Sequence, residues 1–69
     1  MLAALGAAIR RHRLGAGLTQ AELAERSGIG RVHVNHIEGG RKNATVLVLM
    51  RIADSLGVDP GELLAGIVR

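Results

Sequence analysis

The chain has 69 residues and a formal net charge of +3, and it contains no cysteine, phenylalanine, tyrosine or tryptophan. The lack of cysteine excludes disulfides, thiol chemistry and a zinc finger, and the lack of aromatic side chains disfavours a protein that stacks single-stranded bases. A chain of this length predicts one domain, residues 1–69, with a core built from aliphatic side chains.

The first predicted helix covers residues 2–14, where Leu2, Leu5 and Ile9 recur with the helical period. Its alanine-rich composition also favours a helix. Basic residues dominate this part of the chain, because the first acid is Glu22 and the helix carries Arg10, Arg11 and Arg13. Such a charge distribution suits a polyanionic partner.

Residues 19–40 form the central unit of the chain, two helices joined by a tight turn. Thr19 and Glu22 have the spacing of a capping box, which predicts the start of the first helix. Gly28 predicts its end, because a left-handed residue at that point favours glycine. The second helix is predicted over residues 31–38.

Two further helices are predicted after this unit, over residues 46–56 and 60–68. Thr45 is a candidate cap for the first of them, and Asp59 followed by proline is a typical start for the second. No stretch alternates with a period of two, so a sheet is not expected. The predicted fold is all-α, a compact five-helix bundle with a central helix-turn-helix.

The central unit resembles the helix-turn-helix regulators of the phage repressor and Cro type, the XRE family. The resemblance is carried by Thr-Gln-Ala-Glu-Leu-Ala at 19–24, Gly-Ile-Gly at 28–30, and Val34, Ile37 and Glu38. It extends over residues 9–64, through Asn43, Ala53 and Leu63. It implies a lambda-repressor-like DNA-binding domain that regulates transcription, as a repressor, and is not an enzyme.

The resemblance implies that residues 31–38 lie in the major groove of double-stranded DNA. The positions that touch bases in the family correspond here to Arg31, Val32 and His36, with His33 and Asn35 as flanking candidates. Arg31 suits guanine O6 and N7, or else clamps a phosphate, and Val32 suits a thymine methyl group. The expected phosphate contacts are Gln20, Arg41, Lys42, Asn43 and Arg10.

Two other sets of residues are expected to support the domain. Arg13 and Glu38 match by position a pair that forms a partly buried salt bridge in the phage repressors. A homodimer is expected, because paired half-sites about one helical turn apart give more specificity than one short helix. The candidates for the dimer contact are the apolar residues at the two ends of the chain, unless both sets belong only to the core. The C-terminal set, Leu64, Ile67 and Val68, is favoured over Leu2 and Leu5 because the family uses that end.

No metal, cofactor or membrane is expected. Two histidines three positions apart, without cysteine or a nearby acid, make a poor metal site. The apolar run at residues 46–50 is too short to span a bilayer, so a soluble cytoplasmic protein is expected. The alternative functions on the same fold are an antitoxin, with a toxin as protein partner, and a restriction–modification controller.

The sequence also departs from the family pattern in places. Gly30 stands at the cap of the second motif helix, where serine or threonine is more usual, although glycine is an acceptable cap. A second glycine, Gly40, follows Gly39 and predicts a looser loop after that helix.

Overall fold

The computed structural model describes residues 1–65 and 67, and this part of the chain contains five helices and no strand. The predicted all-α fold is therefore confirmed. The helices are α1 (Leu2–Gly15), α2 (Gln20–Ser27), α3 (Arg31–Glu38), α4 (Val46–Leu56) and α5 (Pro60–Leu64). The bounds of α3 and α4 are those that the sequence predicted, and α1 runs one residue further than predicted.

The last helix is shorter than predicted. The sequence predicted residues 60–68, but α5 ends at Leu64 and Ala65 is its C-cap. The backbone N–H of Ile67 then donates to the carbonyl of Leu64 at 2.9 Å, a tighter turn than that of an α-helix. The apolar spacing of Leu63, Leu64 and Ile67 is compatible with this tighter turn as well as with an α-helix, so it does not fix where the helix ends. Val68 lies outside the described residues.

Side-chain caps fix the starts of α2 and α4. Thr19 Oγ1 accepts the backbone N–H of Glu22 at 3.0 Å, and the Glu22 carboxylate accepts that of Thr19 at 2.9 Å, which completes the capping box. Thr45 Oγ1 accepts the backbone N–H of Val48 at 3.2 Å. Gly28 ends α2 in the left-handed conformation with φ at 70°. The predicted caps are therefore confirmed at both helices.

Every helix contributes to a single aliphatic core. Its largest fully buried side chains are Ile9, Leu23, Val34, Ile37, Ile52 and Leu63. Helix α1 packs against α3, α4 and α5, while α2 packs against α3 and α4. Helix α3 is therefore held between α1 and α2, with Val34 and Ile37 as its buried side.

Two glycines allow α1 to pass unusually close to the end of α3. A Cβ at Gly6 would overlap the carbonyl oxygens of Ile37 and Glu38, lying 2.5 Å from the latter. Gly40 has φ at +72°, and a Cβ there would lie 3.1 Å from the Cα of Ala3. The expectation of a looser loop was therefore wrong, because this glycine packs tightly against α1.

Candidate nucleic-acid interface

Helix α3 has one face in the core and one face in solvent. Val34 and Ile37 are buried, whereas Arg31, Val32 and Asn35 are exposed. Val32 is 63% exposed, so its side chain is accessible to a partner. Neither a side-chain cap nor an acid in the first turn covers the start of α3 at Gly30. The N-terminal half of α3 is therefore available to a partner.

Two surface clefts lie between α3 and the elements next to it, and they share two of their lining residues. The first, about 310 Å³ in volume, is lined by Gln20 of α2 together with Arg31, Val32 and Asn35. The second is also lined by Gln20 and Asn35, and it adds Arg10 of α1 and Arg41 of the following loop. We call these six residues the basic surface. It brings together candidates from α1, α2, α3 and the loop after α3.

The other predicted contact residues lie outside the two clefts. His33 and His36 are half-buried on α3, so each offers only part of its ring to a partner. Lys42 and Asn43 are exposed in the loop after α3. The backbone N–H groups of Arg41 and Lys42 both donate to the carbonyl of His36, at 2.9 and 3.3 Å, which fixes the first residues of this loop against α3.

Arg13 and Glu38 form a two-pronged ion pair beneath the basic surface. Arg13 Nε donates to Glu38 Oε2 at 2.7 Å, and Nη2 donates to Oε1 at 3.0 Å. Arg13 Nη1 also donates to the carbonyl of Leu18 at 2.8 Å. The two side chains are only 8% and 3% exposed. This pair links α1 to the end of α3. It also neutralises the charge of Glu38, which lines the second cleft.

A ladder of side-chain hydrogen bonds runs from this ion pair to the surface. Gln20 Nε2 donates to Glu38 Oε1 at 3.1 Å, and Gln20 Oε1 accepts from Asn35 Nδ2 at 3.1 Å. Asn35 Oδ1 in turn accepts from Arg41 Nη2 at 2.9 Å. We call Arg41, Asn35, Gln20 and Glu38 the polar ladder. It links the loop, α3 and α2 in one arrangement.

The acid at the start of α2 stays charged. The backbone N–H of Thr19, then its hydroxyl, lowers the pKa of the exposed Glu22 carboxyl below its ordinary value, and the nearby Arg26 acts in the same direction. The capping box is therefore intact at neutral pH. It fixes the helix turn that begins with Gln20, a member of the basic surface.

The described residues, 1–65 and 67, do not form a metal site or a membrane span. Within this range no three histidine, cysteine or acidic side chains are grouped as a metal ion would require. Nor does any helix in the described part of the chain have the length and apolar character needed to cross a membrane.

Comparison with known proteins agrees with this geometry. A family model described as helix-turn-helix matches residues 9–63, nearly the range over which the sequence resembles the XRE family. An HTH-type transcriptional regulator of Sinorhizobium fredii is 41% identical over 59 residues, which cover 86% of this chain and 77% of that protein. The predicted resemblance is confirmed: the chain belongs to the XRE-type helix-turn-helix family of DNA-binding transcriptional regulators, which are not enzymes.

Solved structures show the same fold. The restriction-modification controller protein C.AhdI from Aeromonas hydrophila is 34% identical, with a TM-score of 0.88, over 90% of this chain and 94% of that one. The clp gene regulator ClgR from Corynebacterium glutamicum is 35% identical, with a TM-score of 0.90, over 94% of this chain and 70% of that one. Both similarities extend well beyond the central two helices.

The sequence analysis missed two features that position α3 and the residues around it. One is Gly6, although a glycine inside an alanine-rich helix costs about 1 kcal/mol and is a signal of close packing. The other is the position of Asn35 between Gln20 and Arg41, for which no signal exists in the sequence. Its partners are 15 and 6 residues away along the chain and come together only in the folded domain.

Proposed function

We propose that the chain represses transcription by binding a palindromic operator as a homodimer, with α3 of each copy in the major groove. One observation carries this proposal: the exposed start of α3, with Arg31 and Val32, lies on the same surface as the cations Arg10 and Arg41. A sequence reader needs this combination, because base contacts specify the site and phosphate contacts position the protein on it.

Base reading is assigned to the outer face of α3. Arg31 is exposed at the first position of α3, where its fork of donors can reach guanine O6 and N7. Val32 can contact only apolar groups, and the thymine methyl is the apolar group of the major groove. His33 and His36 are half-buried, so their contribution is expected to be smaller than that of Arg31.

Phosphate binding is assigned to the rim of α3. Gln20 begins α2 and lines both clefts of the basic surface, where the second N–H of its side-chain amide can donate to a phosphate oxygen. Arg10 and Arg41 supply charge at one end of the basic surface. Lys42 and Asn43 extend it along the loop, which is exposed. Contacts of this kind make binding strongly dependent on salt.

The homodimer contact is assigned to the C-terminal apolar residues. Leu64 and Ile67 pack against the core and remain half-buried, so part of each side chain is open to a second copy. Helix α4 offers a second candidate contact, because Val46, Leu47 and Met50 are 75%, 60% and 53% exposed. Sedimentation of Ile67→Lys and Met50→Lys separates the two, since only the variant at the true contact becomes monomeric.

The similarity to C.AhdI favours a second candidate function, control of a restriction–modification system. Both proposals involve a homodimer that binds a palindromic operator, and they differ in the gene that is regulated. A neighbouring restriction or methyltransferase gene favours the second function, and a toxin gene favours the antitoxin alternative with its protein partner. For each of these functions, the protein is proposed to act in the cytoplasm.

The proposal is tested by selecting binding sites from a pool of randomised duplexes and sequencing them, at two salt concentrations. A palindromic site with a guanine in each half, and an affinity that falls steeply with salt, would support it. Weak binding that depends on salt but enriches no sequence would contradict it. A single half-site in the selected duplexes would contradict the homodimer alone.

A further inference from the structure

Both ends of the Asn35 side chain are occupied by hydrogen bonds to other elements. Its Nδ2 donates to Gln20 Oε1 at 3.1 Å, and its Oδ1 accepts from Arg41 Nη2 at 2.9 Å. The residue is exposed, so neither bond is needed to satisfy a buried group. The amide of Asn35 therefore joins α2 to the loop after α3, although the side chain belongs to α3.

The charges at the two ends of the polar ladder fix the orientation of both amides. A guanidinium can only donate, so Asn35 must turn its oxygen to Arg41 and its nitrogen to Gln20. A carboxylate can only accept, so Gln20 must turn its nitrogen to Glu38 and its oxygen to Asn35. The two requirements agree, and the ladder has one arrangement.

The free hydrogen-bonding groups of the ladder's side chains are then mostly donors. Each amide nitrogen keeps a second N–H, and Arg41 keeps the remaining N–H groups of its guanidinium. These donors belong to residues that line the two clefts of the basic surface. An array of fixed donors suits phosphate oxygens, which only accept hydrogen bonds.

Gly39 provides the space in which Arg41 folds back toward Asn35. A Cβ at position 39 would lie 3.3 Å from Arg41 Nε, closer than most real Cβ contacts, and 3.6 Å from Nη2, an ordinary contact distance. The backbone of Gly39 is right-handed, with φ at −80°, so an alanine is compatible with this conformation, and its Cβ meets the Arg41 side chain and, at 3.3 Å, the backbone carbonyl oxygen of Asn35. The fold thus leaves a specific place for this guanidinium over the end of α3.

We propose that Asn35 is a positioning residue of the DNA interface: it holds Arg41 and Gln20 in the orientation in which they contact phosphates, and it reads no base itself. This inference rests on the DNA-binding function proposed above. It predicts that Asn35 affects binding mainly through Arg41.

The test is a double-mutant cycle on DNA affinity, with a duplex recovered by selection and a random duplex of equal length. Arg41→Ala is expected to weaken binding to both duplexes roughly three- to tenfold and to reduce the salt slope by about one for each phosphate that the side chain neutralises. Asn35→Ala is expected to weaken binding to both duplexes by a similar or smaller factor. Their double variant should bind within about twofold of Arg41→Ala alone, because residues in one hydrogen-bond network are not additive.

Lys42 provides the matched control, since it lies in the same loop and, within the part of the chain that the structure describes, forms no hydrogen bond to Asn35. The losses of affinity in Asn35→Ala and Lys42→Ala are expected to multiply. Gly39→Ala gives an independent variant that crowds the Arg41 side chain and keeps the Asn35 side chain. It should weaken binding in the wild-type chain and have no further effect in Arg41→Ala.

Three results would overturn the inference. Losses of affinity in Asn35→Ala and Arg41→Ala that multiply would mean that the residues act separately. A loss confined to the selected duplex would mean that Asn35 reads a base. In both cases the wild-type chain still binds its site, so the proposed function survives. Failure of the wild-type chain to bind any duplex would overturn the proposed function and this inference together.

Discussion

The two helices of the central motif have eight residues each but are fixed to the domain in different ways. Helix α2 begins with a complete capping box and ends at a left-handed glycine, both of which are local features. Helix α3 begins at Gly30 without a side-chain cap. It is held by contacts with distant parts of the chain: the packing at Gly6, the Arg13–Glu38 pair and the polar ladder.

This difference leaves the start of α3 open while the start of α2 is closed. Helix α3 is held by its buried face and its C-terminal end, and its first turn carries neither a side-chain cap nor an acid. In the proposed function, the side chains of that turn are therefore free to contact bases. Helix α2, whose first turn is closed by Thr19 and Glu22, supplies a rigid neighbour.

The largest predicted effect comes from removing the acid that anchors α3. Glu38→Ala leaves Arg13 charged and nearly buried without its partner, which is expected to cost about 3–5 kcal/mol of unfolding free energy. A domain this small has little more stability than that, so the variant should be largely unfolded. Denaturant unfolding measures the change.

The control for that experiment is Glu25→Ala, which removes an exposed acid from α2. Its unfolding free energy should stay within about 0.5 kcal/mol of the wild type, as for most surface substitutions. A Glu38→Ala variant as stable as Glu25→Ala would show that the ion pair does not anchor α3.

A smaller effect is predicted at the cap of α2. Thr19→Ala removes the side-chain oxygen that accepts the Glu22 N–H, at a cost of about 1 kcal/mol. For a domain of this size that corresponds to a melting temperature lower by roughly 4–8 °C. An unchanged melting temperature would mean that the capping hydrogen bond does not stabilise α2 and that packing alone holds this helix.

At the cap of α3, a substitution is predicted to raise the stability of the domain. Gly30 has φ at −63°, and no heavy atom lies within 4 Å of a Cβ placed there, so a serine fits and can cap the helix. Gly30→Ser is expected to add a few tenths of a kcal/mol. A thermal melt that shows a lower stability would contradict the description of this helix start as open.

The smallest effect is a pH dependence at the start of α2. Since hydrogen bonds from Thr19 lower the folded-state pKa of Glu22, its contribution to stability is present above the ordinary pKa of 4.5 and is lost as pH falls through the lower folded-state value. Glu22→Gln removes this titration, so its melting temperature should fall less between neutral pH and acid than that of the wild type. An equal decrease in melting temperature for both proteins would show that the titration of Glu22 does not affect stability.

Features that depend on neighbouring residues could be predicted from the sequence, whereas contacts between distant residues could not. Caps and apolar periodicity lie within a few residues, so the bounds of α3 and α4 and the caps at Thr19 and Thr45 were predicted. The early end of α5 was not predicted, because its apolar spacing continues to Ile67. The polar ladder could not be predicted at all, since Gln20 and Glu38 are 18 residues apart and meet only through the packing of α2 on α3.

The most direct test of α3 as the sequence reader is to repeat the duplex selection with Arg31→Ala. Arg31 is exposed at the first position of α3, and a two-pronged arginine–guanine contact is worth about 1–3 kcal/mol of discrimination against other bases. We predict that the variant enriches the same palindrome, with the preference for guanine abolished at one position in each half. An unchanged palindrome, together with an affinity that falls equally on selected and random duplexes, would show that Arg31 binds only phosphate and that α3 does not read DNA through it.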